Sequence, residues 1–136
     1  MTTIDYTQTK VLIVDDIKLN LKVVEKMMSR YKCQIRTARN GQEAIDSISQ
    51  QQPDLIILDL LMPGIDGFEV LRRIRAGEAG DPETIVIILS ALNSEQDIVR
   101  GFDLGANDFI TKPVIMQRLY NVVETQLKLK KATSSN

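Results

Sequence analysis

The 136-residue sequence contains no histidine, no tryptophan and a single cysteine, Cys33. Without histidine the chain has no histidine general base and no phosphohistidine of its own, and a zinc site is disfavoured. One cysteine excludes an internal disulfide, which fits a reducing cytosol, so we expect a cytoplasmic protein. No apolar run has the length of a signal peptide core or a membrane span, and the formal net charge of −1 provides no basic surface for nucleic acid. We therefore expect no membrane partner and no direct nucleic-acid partner.

Short apolar runs recur along the chain. The clearest occupy residues 10–14 (KVLIV), 55–58 (LIIL) and 85–89 (IVIIL), and two weaker candidates occupy 34–38 and 108–111. Continuous runs of this length are typical of strands buried on both faces of a parallel sheet. We expect the two weaker runs to lie nearer the sheet edges.

Helical patterns separate these runs. Asn40 with Glu43 resembles a capping box, and Gly77 and Gly105 stand where helix-ending glycines belong. The apolar residues predicted to share one helix face are Leu19, Val23, Val24, Met27 and Met28; Ala44, Ile45 and Ile48; Val70, Leu71 and Ile74; Ile98, Val99 and Phe102; and Leu119, Val122, Val123 and Leu127. Five repeats of strand then helix predict an α/β fold, a doubly wound parallel sheet with helices on both faces. We assign one domain to residues 10–130, an N-terminal lead to 1–9, and a flexible tail or the start of a linker to 131–136.

Polar residues collect at the ends of the predicted strands. Asp15 and Asp16 follow the first strand, Asp59 the third, Ser90 the fourth and Lys112 the fifth. Ligands bind outside the carboxyl ends of the strands in such sheets, so these residues should converge at one edge. Clustered carboxylates repel one another unless a cation is bound, and hard oxygen ligands without histidine or thiolate favour Mg²⁺. A carboxylate can also form an aspartyl phosphate, whose oxygens Lys112 and Ser90 could hold.

These residues lie in strings that resemble the receiver domain of bacterial response regulators. The strings are VLIVDD, ARNGQEA, DLIILDLLMPGIDGFE, ILSA and GANDFITKP, and the likeness extends over about residues 10–127. The resemblance implies a flavodoxin-like (β/α)5 fold with strand order 2-1-3-4-5. It implies that Asp59 is the phosphoacceptor, supplied by a phosphohistidine on a sensor histidine kinase or a histidine phosphotransfer protein. Such a chain is a phosphorelay switch with at most self-catalysed phosphotransfer and slow self-dephosphorylation.

The resemblance also assigns roles within the site. Asp16 and Asp59 would ligate Mg²⁺ directly, Asp15 through water, and the main-chain carbonyl of Leu61 would add a ligand; Mn²⁺ is the expected substitute. Ser90 and Lys112 would hold the phosphoryl oxygens. Ser90 would move toward the phosphoryl group, Phe109 would turn inward, and the surface of the fourth helix, fifth strand and fifth helix would change to engage an output domain or partner. The family often has a cis peptide bond before the proline at position 113.

Two positions depart from the polar residues common in receivers that lose their phosphoryl group quickly. These are Leu61 and Leu92, two residues beyond the phosphoacceptor and the switch hydroxyl. Apolar side chains cannot position an attacking water, so we predict a long-lived phosphorylated form. In the winged-helix class of regulators, a Glu and an Arg on the fifth helix form salt bridges across a dimer. Arg118 and Val122 stand at those positions here, which disfavours that dimer, so we expect a monomer or weak dimer.

Two other functions share parts of this pattern. A haloacid-dehalogenase-type phosphatase also uses an Asp nucleophile with Mg²⁺, but its DxDxT motif is missing and no general acid stands two residues after Asp59. A flavin mononucleotide module binds phosphate on a Ser/Thr-rich loop after the first strand, where Asp15 and Asp16 would repel it. Met1 favours a true N-terminus, and the run KLKK could continue the fifth helix into an output domain such as a nucleotide cyclase, a phosphatase or a kinase.

Overall fold

The computed structural model describes residues 4–134 and contains a five-stranded parallel sheet in the order β2-β1-β3-β4-β5. The strands are β1 (Lys10–Val14), β2 (Gln34–Ala38), β3 (Leu55–Leu58), β4 (Ile85–Ser90) and β5 (Asp108–Thr111). The helices are α1 (Lys18–Met28), α2 (Gly41–Gln50), α3 (Gly67–Arg75), α4 (Glu95–Asp103) and α5 (Met116–Ser134), with a short 3₁₀ turn at Ser29–Tyr31. This confirms the predicted fold class and strand order, with β2 and β5 at the edges.

Two apolar layers cover the two faces of the sheet. Alternate residues of a strand point to opposite faces, so Leu12 packs in one layer and Ile13 in the other. One layer contains apolar residues of α2 and α3, with Ile98 of α4 packed against it. The other contains apolar residues of α1 and α5. Because helices cover both faces, every residue of β3 and β4 is buried, which explains the apolar sequence of β3 and of β4 up to Leu89.

Side-chain caps fix where α2, α3 and α4 begin. The Asn40 side chain accepts a hydrogen bond from the Glu43 amide, as the capping pattern predicts, and Asp66 and Ser94 cap α3 and α4 in the same way. Gly77 and Gly105 follow the ends of α3 and α4 with φ of 78° and 102°, a region that favours glycine. The predicted helix stops are confirmed at both glycines.

Two predicted helix faces need correction. In α1 the buried residues are Leu21, Val24 and Met28, whereas Leu19 is 69% and Val23 40% exposed. Turning 100° per residue, Leu19 lies on the side of the helix opposite Met28, so the apolar pattern included an exposed row. In α4 the predicted face is likewise displaced, since Val99 and Phe102 are exposed. A glycine occupies the position of α4 that faces the sheet, and glycine contributes nothing to an apolar pattern.

The chain ends extend beyond the described part. Helix α5 runs to Ser134 and so continues into the segment 131–136, which we predicted to be a tail or the start of a linker. Residues 1–3 of the predicted lead and residues 135–136 lie outside the described residues, so these assignments stay predictions. Among residues 4–134, no helix is long and apolar enough to cross a membrane.

Candidate functional site

The main-chain hydrogen bonds of the sheet place the predicted site residues at one edge. The Asp59 amide donates to the Val14 carbonyl at 3.0 Å, which sets Asp59 beside the end of β1, where Asp15 follows. On the other side of β3, the Lys112 amide donates to the Ser90 carbonyl at 2.9 Å. Ser90 is the last residue of β4 rather than the first after it. The carboxyl ends of four strands therefore meet here, as predicted.

Lys112 forms ion pairs with two buried carboxylates. Its Nζ lies 2.7 Å from Asp15 Oδ2 and 3.1 Å from Asp59 Oδ2. Asp15 is 5% and Asp59 4% exposed. Burial of the ammonium lowers the pKa of Lys112, but hydrogen bonds and charge attraction from Asp15 and Asp59 outweigh it, so the pKa is raised overall. Lys112 therefore remains a cation in this pocket.

A third carboxylate completes an oxygen-rich cluster. Asp15, Asp16 and Asp59 each offer a carboxylate oxygen, and these oxygens lie within 4.8 Å of one another. Asp16 is half-buried, so the cluster opens toward solvent on its side. Three hard oxygen donors with one cation among them leave a net negative site, which suits a small divalent cation that keeps part of its water shell. The residues present therefore fit Mg²⁺.

Backbone amides orient the site side chains, a feature that the sequence analysis missed. The Ile17 amide donates to Asp15 Oδ1 at 2.9 Å, and the Leu61 amide donates to Asp59 Oδ1 at 3.2 Å. The Leu92 amide donates to Ser90 Oγ at 3.3 Å, while Ser90 itself is fully buried. Each bond joins residue i to residue i+2, the local pattern that Asp and Ser favour in turns, so residue type alone could have suggested it.

Gly67, also missed, holds the start of α3 against the loop that follows β3. Its amide donates to the Leu60 carbonyl at 3.1 Å, and a β-carbon at Gly67 would overlap the carbonyl oxygen of Asp59. Only glycine permits this approach of helix to loop. The signal was the Asp66–Gly67 pair before a helical pattern, in which Asp66 caps α3.

The remaining predicted residues surround this cluster. Leu61 is 50% exposed, and Leu92 is half-buried with its side chain against the core. Phe109 is 7% exposed, so its ring already lies in the core in this structure. The Lys112–Pro113 peptide bond is cis.

Comparisons with known proteins agree on one family. The family model described as the response regulator receiver domain matches residues 11–124. Response regulator PleD of Caulobacter vibrioides is 34% identical over 124 residues, which cover 89% of this chain and 26% of PleD. This chain therefore spans about a quarter of the length of that curated relative.

Solved structures show the same architecture. The signal receiver domain assigned to a Luxo repressor protein from Vibrio parahaemolyticus has a TM-score of 0.86 and 32% identity, covering 93% of this chain and 95% of its own. The CheX-CheY-BeF3-Mg²⁺ complex from Borrelia burgdorferi has a TM-score of 0.81 and 30% identity, covering 88% of this chain and 89% of the matched one. The second of these was solved with Mg²⁺ and a beryllium fluoride group.

Proposed function

Because the chain belongs to the response regulator receiver domain family, we propose that Asp59 accepts a phosphoryl group from a phosphohistidine of a sensor kinase or histidine phosphotransfer protein. The family consists of two-component signalling switches. The observation that carries the proposal is the pairing of one ammonium, Lys112, with the buried carboxylates of Asp15 and Asp59 in an oxygen cluster at the sheet edge. A carboxylate held by a cation and a backbone amide is oriented for attack.

The proposed transfer needs only groups present at this edge. An Asp59 carboxylate oxygen attacks phosphorus and forms an acyl phosphate, while the P–N bond to the donor imidazole breaks and the electron pair leaves with the imidazole. The Leu61 amide holds the other Asp59 oxygen at 3.2 Å and so favours one direction of attack. The Lys112 ammonium, which pairs with the Asp59 carboxylate before transfer, would then pair with a phosphoryl oxygen. In the described chain Ser90 Oγ appears only as an acceptor, which leaves its proton for a second phosphoryl oxygen.

Asp15, Asp16, Asp59 and the Leu61 carbonyl are the groups that would hold Mg²⁺. When bound, Mg²⁺ supplies positive charge that offsets the negative charge of the transferring phosphoryl group. Asp15 and Asp59 each accept one hydrogen bond from a backbone amide and one from Lys112, and by resemblance to the family we assign Asp15 a contact through water and Asp59 a direct one. The Mg²⁺ in the Borrelia burgdorferi complex supports, by similarity, a Mg²⁺ site in this chain.

The proposed output is a change at the α4-β5-α5 surface through Ser90 and Phe109. Burial of Phe109 shows that the core accommodates the ring, and phenylalanine has no hydroxyl that would favour water. Exposed apolar side chains near this surface, Val99, Phe102 and Ile115, could contact an output partner. We propose that α5 leads toward such a partner or output domain, in a cytoplasmic protein that is a monomer or weak dimer.

A groove beside the site could admit the donor protein. A cavity of about 470 Å³ lies between α1 and the segment after β5, and Lys112 is part of its lining. Val23 and Met27 of α1 line its other side. A donor placed here would lie next to the ammonium that pairs with Asp59.

The test is chemical labelling without a partner. Incubation with acetyl phosphate and Mg²⁺ should add one phosphoryl group, seen as a single mass increment of the intact protein, and Asp59→Asn should abolish it. The matched control is Asp46→Asn, a change of the same type on the exposed surface of α2, which should label like the wild type. Labelling that persists in Asp59→Asn would place the acceptor elsewhere and refute the proposal.

A further inference from the structure

The face of helix α4 that contacts the sheet carries a glycine, Gly101. Within α4, all of whose residues are described, Gly101 alone is buried. Val99 and Phe102 point outward, 54% and 44% exposed, and Ile98 is half-buried against the core. A helix attached mainly through backbone buries little apolar area, so its position depends strongly on what lies beneath that glycine.

The residues beneath Gly101 leave no room for a side chain. A β-carbon built on Gly101 would lie 2.8 Å from Ile88 Cδ1, 3.1 Å from Phe109 Cδ2 and 3.3 Å from Phe109 Cε2. The favourable separation of two non-bonded carbons is about 3.5–4.0 Å. The space that a side chain at position 101 would need is therefore occupied by the Ile88 methyl group and by the edge of the Phe109 ring.

The two neighbours would respond differently to a β-carbon. The Ile88 contact is a terminal methyl group, which moves away by rotation about one bond. Phe109 presents two atoms of a rigid, planar ring, which must move as a whole. The ring therefore moves away from α4, or α4 moves away from the ring, by a few tenths of an ångström.

We propose that Gly101 is a positioning residue that couples the Phe109 ring to helix α4. The ring lies inside only while Gly101 faces it, and α4 keeps its distance from the sheet only while the ring is in place. This coupling deepens the proposed function, because it rests on Phe109 as the moving part of the phosphorylation switch. It names the contact through which that movement reaches a helix.

A second contact beside Gly101 determines how α4 would respond. The Arg100 guanidinium lies 3.9 Å from the centroid of the Phe68 ring on α3, within the range of a cation–π interaction. This contact holds α4 to α3 at the residue preceding the glycine. A change in the contact between Gly101 and the Phe109 ring would therefore rotate α4 about Arg100 and change the direction in which the exposed Val99 and Phe102 point.

The first experiment reads the ring directly. 4-Fluorophenylalanine incorporated into the full chain reports on its three phenylalanines, Phe68, Phe102 and Phe109, which single Phe→Leu variants assign. In the wild type the NMR chemical shift of the Phe109 fluorine should differ little between H2O and D2O, as expected for a buried ring. Gly101→Ala should at least double that solvent isotope shift. An unchanged Phe109 fluorine in Gly101→Ala would overturn the proposal.

The second experiment reads α4 by amide hydrogen exchange. Gly101→Ala should speed exchange of α4 amides at least tenfold although alanine favours helix, and adding Phe109→Leu should restore most of the protection. The matched control is Val99→Ala, which also raises helix propensity but lies on the exposed face and should leave exchange unchanged. If Ile88→Val restores protection and Phe109→Leu does not, the contact that positions α4 is the one with Ile88, and the coupling to Phe109 is refuted.

Phosphorylation separates this inference from the proposed function. With acetyl phosphate and Mg²⁺, exchange in α4 should change in the wild type and respond at least fivefold less in Gly101→Ala. If the wild type takes no phosphoryl group, the proposed function fails. The fluorine and exchange results still decide whether Gly101 positions the Phe109 ring. If the wild type is labelled and both proteins respond equally in α4, the coupling is refuted and the proposed function stands.

Discussion

Removing one charge from the carboxylate cluster should stabilise the protein when no divalent cation is bound. Two unit charges 4.8 Å apart repel by about 3.5 kcal/mol at an effective dielectric constant near 20. Lys112 pairs with Asp15 and Asp59, so these three groups together carry one net negative charge that repels Asp16, and solvent at the half-buried Asp16 reduces this repulsion to about 1 kcal/mol. Asp16→Asn should therefore raise the melting temperature by about 3–5 °C without Mg²⁺.

The same variant should respond less to Mg²⁺. A ligand that binds only the native state at about a hundredfold excess over its Kd adds about 2.7 kcal/mol to the free energy of unfolding. The wild type should gain this stability with millimolar Mg²⁺, and Asp16→Asn should gain less than half of it. Thermal melts at matched ionic strength, with Asp46→Asn as the control, measure both effects. A variant that melts below the wild type without Mg²⁺, or that gains as much from Mg²⁺, would refute this reasoning.

Three further changes test other parts of the structure. Lys112→Ala should destabilise the metal-free protein by about 2–3 kcal/mol, because two buried carboxylates lose their cation, and Mg²⁺ should recover most of this in denaturant titrations. Leu61→Asn with Leu92→Glu should speed phosphoryl decay about tenfold, or about 1.4 kcal/mol, measured after donor removal; equal decay rates would make the apolar pair irrelevant. Tyr31→Phe removes a 2.6 Å hydrogen bond to Glu124 and should cost about 1 kcal/mol. Burial and that bond raise the pKa of Tyr31. In urea titrations the wild type should therefore have the higher free energy of unfolding below about pH 10, and its difference from Tyr31→Phe should shrink above that pH.

Much of the fold follows from local pattern. Strand β3 is continuously apolar because helices cover both faces, and that requirement is visible in the letters LIIL. The Asn40 cap and the turn at Gly77 are local hydrogen-bonding and dihedral preferences of single residues, so they too could be read in advance. The convergence of Asp15, Asp59 and Lys112 could be predicted because parallel strands end at the same edge of a sheet.

Other features depend on contacts between distant residues. Lys112 lies closer to Asp15 than to Asp59, a choice set by the packing of β1, β3 and β5 that no spacing along the chain encodes. The same holds for α1, where an apolar row that includes Leu19 faces solvent because the sheet contacts a different side of the helix.

Helix α4 shows the limit most clearly. The sequence by itself indicated a helix through Ile98, Val99 and Phe102 that ends before Gly105, because these signals are local. Only the tertiary structure decided that Gly101 faces Phe109, because glycine has no side chain to mark a buried face and the ring comes from a strand later in the chain. The sequence determined which chemical groups are available, and packing decided which of them touch.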